Sequence, residues 1–130
     1  MLKIKSVYDS IKKEDGLRIL ATRFKGMFLK KTRYNLWMAN LGPSGELLKS
    51  FQADKISWPV FQEKYKEEIL NSLDLDRKNK VILNHGQKFT LRLIKFLAKG
   101  QNVTLMCHCD TGEEMCHLKV LEKILQSKII

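Results

Sequence analysis

The run Val103-Thr104-Leu105-Met106-Cys107 constrains this chain more than any other feature. It is short and mostly apolar, which suits a strand buried on both faces rather than one with a wet side. Leu91, Ile94 and Leu97 or Ala98 recur at helical spacing just before it, and that helix stops at Gly100, a residue suited to a helix C-terminus. A strand reached through a helix returns parallel to its neighbour, because a crossover of that length is what parallel pairing needs. The run therefore predicts a sheet with parallel pairing.

The remainder of the chain supplies the rest of an α/β pattern. Leu2-Lys3-Ile4-Lys5-Ser6-Val7 alternates with period two and reads as a half-buried strand. Glu14-Asp15-Gly16 marks a turn, and Leu17 to Thr22 reads as a second strand. Arg23 to Arg33 is strongly basic with few structure-forming cues and reads as a loop, followed by a short apolar piece, Tyr34 to Leu41, stopped by Gly42-Pro43. Ser44 is placed to cap a short helix through Leu47, Leu48 and Phe51. Ser57, with Pro59 in the first turn, opens a longer one in which Phe61, Tyr65, Ile69 and Leu73 share a face. After the polar interval from Lys78 to Gly86 and the Gly100 helix, a last helix is expected over residues 113–126, with Thr111 and Glu114 spaced as a capping box. The expected fold is α/β: a small, mainly parallel sheet flanked by helices, in one compact domain over residues 1–130.

At 130 residues, 44% of them hydrophobic, the chain has enough apolar material for a core without metal or disulfide staples. No apolar stretch approaches the roughly 20 residues needed to span a bilayer, and Met1 to Lys13 lacks the apolar centre of a signal peptide. No membrane partner is expected, and the expected address is cytoplasmic.

The formal charge of +10 is uneven. Residues 1–50 carry eleven Lys and Arg against four acids, whereas residues 101–130 carry three against four. This asymmetry points to an anionic partner for the N-terminal half, nucleic acid or another polyanion, with Arg18, Arg23, Lys30, Lys31 and Arg33 as candidate contacts. A solvated lysine-rich surface fits the same numbers. Arg18 and Arg23 bracket the second strand and suit phosphate or carboxylate; ion pairs with Asp9 or Asp15 are the plainer use for them.

Cys107, Cys109 and Cys116 lie within ten residues of one another, where the buried strand ends and the last helix begins. Ligands gather at the carboxyl ends of strands in open α/β sheets. Alternation along an extended chain puts Cys107 and Cys109 on one side and His108 on the other. An odd cysteine count without an export signal favours reduced thiols. Three uses are open. Cys107, Cys109, Cys116 and His117 are ligand types that zinc prefers, although C-x-C-x6-C-H is not a standard zinc spacing, and adjacent Cys116 and His117 do not easily reach one ion. Cys109 or Cys116 could instead be a nucleophile, aided by a helix N-terminus and by His117, with Glu113 and Glu114 opposing. The third use is packing, since free cysteine is among the most buried residue types.

No Gly-rich phosphate loop, paired helical His motif or serine elbow is present, and no cofactor is expected beyond the zinc these residues would suit. Trp37, Trp58, Phe61 and Tyr65 read as core aromatics rather than a base-stacking platform, and His85 reads as a turn residue.

Asp15-Gly16-x-Arg18-Ile19-Leu20-x-x-Arg23, Trp37, Leu41-Gly42-Pro43-Ser44, Leu47 and Phe51, Trp58, Phe61 and Tyr65, and Val103-Thr104-Leu105-Met106 followed by Cys116-His117-Leu118 form an ordered series. It resembles that of the YeaO-like family, domain of unknown function 488. Two departures stand out. Phe24-Lys25-Gly26-Met27 replaces the family's Trp-Pro-Arg-Gly, and Leu118 stands where a cysteine-bearing branch has Arg. The resemblance implies an α/β fold and no settled activity; some relatives are labelled as linked to DNA repair. The sequence thus leaves three classes: a nucleic-acid or polyanion-binding module, a thiol- or metal-dependent enzyme, and an interaction protein without chemistry. Charge asymmetry puts the first in front.

Overall fold

The structure, a computed structural model, describes residues 1–71, 86–109 and 113–130. Leu73, the Val81-Ile82-Leu83 interval, His85 and Thr111 lie outside the described residues. Four strands, β1 (Leu2–Ser6), β2 (Leu17–Leu20), β3 (Leu36–Trp37) and β4 (Val103–Cys107), form one sheet in the order β1-β4-β2-β3. Every pairing is parallel, with Ile4 and Ile19 both opposite Leu105. The apolar run is thus a central strand, and all five of its residues are buried. No helix of the described residues is long and apolar enough to cross a membrane.

The helices are α1 (Gly45–Gln52), α2 (Trp58–Leu70), α3 (Lys88–Gly100) and α4 (His117–Gln126). Ser44 Oγ accepts the Leu47 amide at 3.2 Å and Ser57 Oγ accepts the Val60 amide at 3.4 Å. Both serines therefore satisfy an amide that a helix start leaves unpaired. Phe61, Tyr65 and Ile69 of α2, Leu91 and Ile94 of α3, and Leu118, Leu121 and Leu125 of α4 share one core with Ile19, Val103, Leu105 and Cys107. On the other face Leu20, Met106 and Val7 form a smaller cluster closed by Leu29 and Tyr34. Alternation along β4 thus delivers Cys107 to the helical side and Met106 to the other.

The structure departs from the sequence reading at four points. Leu36–Trp37 is a strand, β3, and Trp37 is 45% exposed rather than a core residue. A strand of two residues is too short for a period-two pattern to show. The last helix begins at His117, not at residue 113, and Cys116 is its N-cap with extended backbone. Glu113, Glu114 and Met115 are exposed while Cys116 is 5% exposed; packing of that sulfur overrides the local capping pattern. Asp15 does not pair with Arg18 or Arg23. Its carboxylate, 1% exposed, takes Lys5 Nζ at 2.7 Å, the Lys12 amide at 2.9 Å and Lys3 Nζ at 3.2 Å. Burial alone would raise the Asp15 carboxyl, but these three donors outweigh it and hold it at about 2. Finally, Arg18 Nη1 donates to the carbonyls of Thr32 and Arg33, both at 3.1 Å.

Candidate active site at the carboxyl end of the central strand

β4 ends at Cys107, where the Cys107 carbonyl still accepts the Val7 amide at 2.8 Å. The chain then leaves the sheet through His108 and Cys109 and returns at Cys116 to start α4. This detour brings the three sulfurs within 4.8 Å of one another, with Cys107 and Cys116 at 3.3 Å. Cys107 and Cys116 are buried; Cys109 alone is half-exposed. Alternation holds past the end of the strand, for His108 points away from the sulfurs. Its Nε2 faces the Phe24 carbonyl at 3.1 Å and its Nδ1 faces the Tyr8 hydroxyl at 3.2 Å. A carbonyl only accepts, so Nε2 donates to it, and in the neutral ring Nδ1 accepts from the Tyr8 hydroxyl.

The same reasoning fixes His117. Its Nε2 donates to the Ala21 carbonyl at 2.6 Å, its ring meets Tyr65 edge-on at 5.6 Å, and burial pushes its pKa down. His117 is therefore a neutral imidazole bound to the end of β2. It stands outside the group of three sulfurs, so among the described residues the four expected ligands reduce to Cys107, Cys109 and Cys116. With zinc–sulfur bonds of about 2.3 Å, three thiolates could supply three corners of a tetrahedral site.

The thiols do not share one acidity. Hydrogen bonds from Cys107 and then Cys116 stabilise the Cys109 thiolate against the cost of burial, and hold its pKa well below the ordinary thiol range. The same bonds, together with burial, push the Cys107 thiol up. Cys116 is drawn down by Cys107 but raised by Cys109 and by burial, and it ends above the ordinary value. These shifts favour the anion on Cys109, the least buried of the three, with the other two thiols as its hydrogen-bond donors.

Around this centre the ends of the other parallel strands supply polar groups. Arg23, just past β2, donates from Nη2 to the Gly42 carbonyl at 2.9 Å and from Nε to the Pro43 carbonyl at 3.2 Å. Tyr65 donates its hydroxyl to the Leu41 carbonyl, and Trp37 Nε1 donates to the Thr22 carbonyl at 2.8 Å. Sequence reasoning did not find Tyr8, because nothing local in Val7-Tyr8-Asp9 shows that β1 lies beside β4. Of the basic candidates, Arg23 lies in this end of the sheet, while Lys30, Lys31 and Arg33 belong to the loop that continues from it. Arg18 is already spent on loop carbonyls.

A family model described as the active DUF488-N3 subclade matches residues 2–129. The chain belongs to this family, DUF488-N3a. The likeness to YeaO-like proteins read from the ordered motifs is borne out. The uncharacterised protein YeaO of Escherichia coli (strain K12) is 36% identical over 70 residues, a match covering 52% of this chain and 61% of YeaO. No solved structure matches the DUF488-N3a chain.

Proposed function

We propose that this DUF488-N3a protein is a cysteine-dependent enzyme in which Cys109 is the nucleophile and Cys107 and Cys116 stabilise its thiolate. One observation carries the reading: three sulfurs converge at the carboxyl end of a central parallel strand, and the half-exposed one is the sulfur whose anion is favoured. A thiolate poised at neutral pH attacks an electrophile without a separate base. The family description, an active subclade, supports chemistry over packing alone. The test is alkylation with iodoacetamide between pH 5 and pH 9, with the modified residue located by mass spectrometry. Cys109 is expected to react first, at a rate nearly flat from pH 6 to 8, where an ordinary thiol of pKa about 8.5 gains close to tenfold per unit. Because the Cys109 pKa is lowered, reactivity is present at neutral pH and is lost as the pH falls toward the acid range. Cys109→Ser should remove the fast phase. A tenfold rise per pH unit would overturn the reading, and so would one tightly held zinc per chain that must be stripped before any thiol reacts.

A second reading is favoured by the loop beyond β2. Phe24 is 60%, Met27 88% and Phe28 92% exposed, interleaved with Lys25, Lys30 and Lys31. Cations beside free aromatic rings suit a phosphate backbone whose bases stack, so the loop is read as binding single-stranded nucleic acid next to the thiols. Affinity for a short DNA strand should fall steeply with salt. Neutralising Lys30, Lys31 and Arg33 together should reduce the slope of log affinity against log salt by roughly 2. Absence of binding at low salt removes this reading and leaves the thiol chemistry untouched.

A further inference from the structure

We infer that the three cysteines form a peroxide-oxidisable centre in which Cys109 takes the oxidising equivalent and Cys107 and Cys116 finish as the disulfide. This rests on the reading of Cys109 as the reactive sulfur and adds to it a partner pair and an oxidant class. The placement of the three residues divides the labour. Cys109 is the most exposed of the three, half-buried against the core, whereas Cys107 and Cys116 are 4% and 5% exposed within it. The buried pair is already in contact, with sulfurs at 3.3 Å. Disulfide closure at about 2.05 Å asks for little more than an ångström of approach. Cys116 is the N-cap of α4 with extended backbone, its carbonyl accepting the Lys119 amide at 3.0 Å, so the approach asks for rotation of its side chain away from the Leu118 amide and for no unwinding of the helix.

The chemistry closes in three steps. The Cys109 thiolate attacks one peroxide oxygen; a sulfur–oxygen bond forms, the oxygen–oxygen bond breaks, and hydroxide leaves. One buried thiol then attacks the Cys109 sulfur. A disulfide forms, the sulfur–oxygen bond breaks, and the thiol proton leaves with the oxygen as water. The remaining thiol attacks its buried neighbour, gives its proton to the hydroxide of the first step, and releases Cys109 as thiolate. The sum is two thiols and one peroxide giving one disulfide and two waters, with the Cys109 thiolate restored. All three sulfurs lie within 4.8 Å, so each step is a transfer between neighbours.

The test uses the whole chain, reduced and metal-free, with one equivalent of hydrogen peroxide followed by iodoacetamide. The expected product has lost about 2 Da, the two thiol hydrogens, and takes one alkyl group, on Cys109. Cleavage after Glu113 or Glu114 lies between Cys109 and Cys116, so the Cys107–Cys116 link survives as two joined peptides. Cys109→Ser is expected to slow disulfide formation at least tenfold. Given a second equivalent of peroxide, the double variant Cys107→Ser, Cys116→Ser is expected to carry Cys109 on to the sulfinic acid, a gain of about 32 Da, one oxygen from each peroxide. A peroxide-treated wild-type chain with three alkylatable thiols overturns the inference. If Cys109 in that chain still shows fast, pH-insensitive alkylation, the nucleophile reading stands without it. A final disulfide containing Cys109 overturns the third step and with it the assignment of the buried pair.

Discussion

Phe61→Ala should destabilise the fold by about 3–5 kcal/mol, the usual cost of emptying a buried aromatic site. Phe61 is 2% exposed and lies between three other rings: Phe51 at 5.0 Å, Trp58 nearly parallel at 5.3 Å and Tyr65 at 6.0 Å between centroids. These neighbours come from α1 and from α2 itself, and their own packing fixes where they sit. They cannot all collapse into the space, so a cavity remains and the loss lies above the transfer cost of the ring alone. Urea unfolding followed by tryptophan fluorescence measures the change, with Trp58 reporting from beside the site. A domain of this size has a total stability of roughly 5–15 kcal/mol, so the midpoint should fall by roughly 2 M. A change below about 1 kcal/mol would show that the aromatic cluster is not part of the folding core.

Gly42→Ala should do comparable damage for a different reason. The backbone at Gly42 has φ −81°, which any residue adopts. A Cβ there would lie 2.1 Å from the Arg23 nitrogen, 2.6 Å from the Thr22 carbonyl carbon and 2.9 Å from the Arg23 Cα. All three are main-chain atoms, so no side chain can swing aside, and the end of β2 must move. That segment carries the Ala21 carbonyl bound to His117, the Thr22 carbonyl bound to Trp37, and Arg23 itself. The expected loss is about 3 kcal/mol or more, beyond the usual overpacking range. The control is Gly100→Ala at the end of α3, where a Cβ meets nothing within 4 Å; it should be neutral or stabilising by up to about 1 kcal/mol. Equal stability for the two variants would mean that Leu41-Gly42 and Thr22-Arg23 do not touch.

The elements whose cues are local were readable from the sequence. Ser44 and Ser57 cap the helices they were expected to cap, and Phe61, Tyr65 and Ile69 are the buried face of α2. β4 was legible because a buried central strand is apolar on both faces, and the crossover before it fixed its direction. What the sequence hid depends on contacts between distant segments. β3 pairs two residues only, and its existence follows from β2 lying alongside. Nothing in Asp15-Gly16-Leu17-Arg18 shows that Asp15 turns toward Lys3 and Lys5 rather than Arg18. At the site, alternation correctly put Cys107 and Cys109 on one side of the chain. The return of Cys116 to within 3.3 Å of Cys107 required the helix to start later than the Thr111 and Glu114 pattern indicated. His117 was a fourth ligand by residue type, against its adjacency to Cys116, and it stands outside the group of three sulfurs, with Nε2 donating to the Ala21 carbonyl 96 residues away.

Cys107 and Cys116 belong to the same packed cluster as Leu105, Leu118 and Leu121. Any bond drawn between them, through a metal or directly, ties the end of the central strand to the N-cap of α4 and restricts the unfolded chain as well as the folded one. The reacted and unreacted forms must then differ in how long they survive unfolding and proteolysis. Chemistry at these sulfurs would be recorded in the lifetime of the protein as well as in its product.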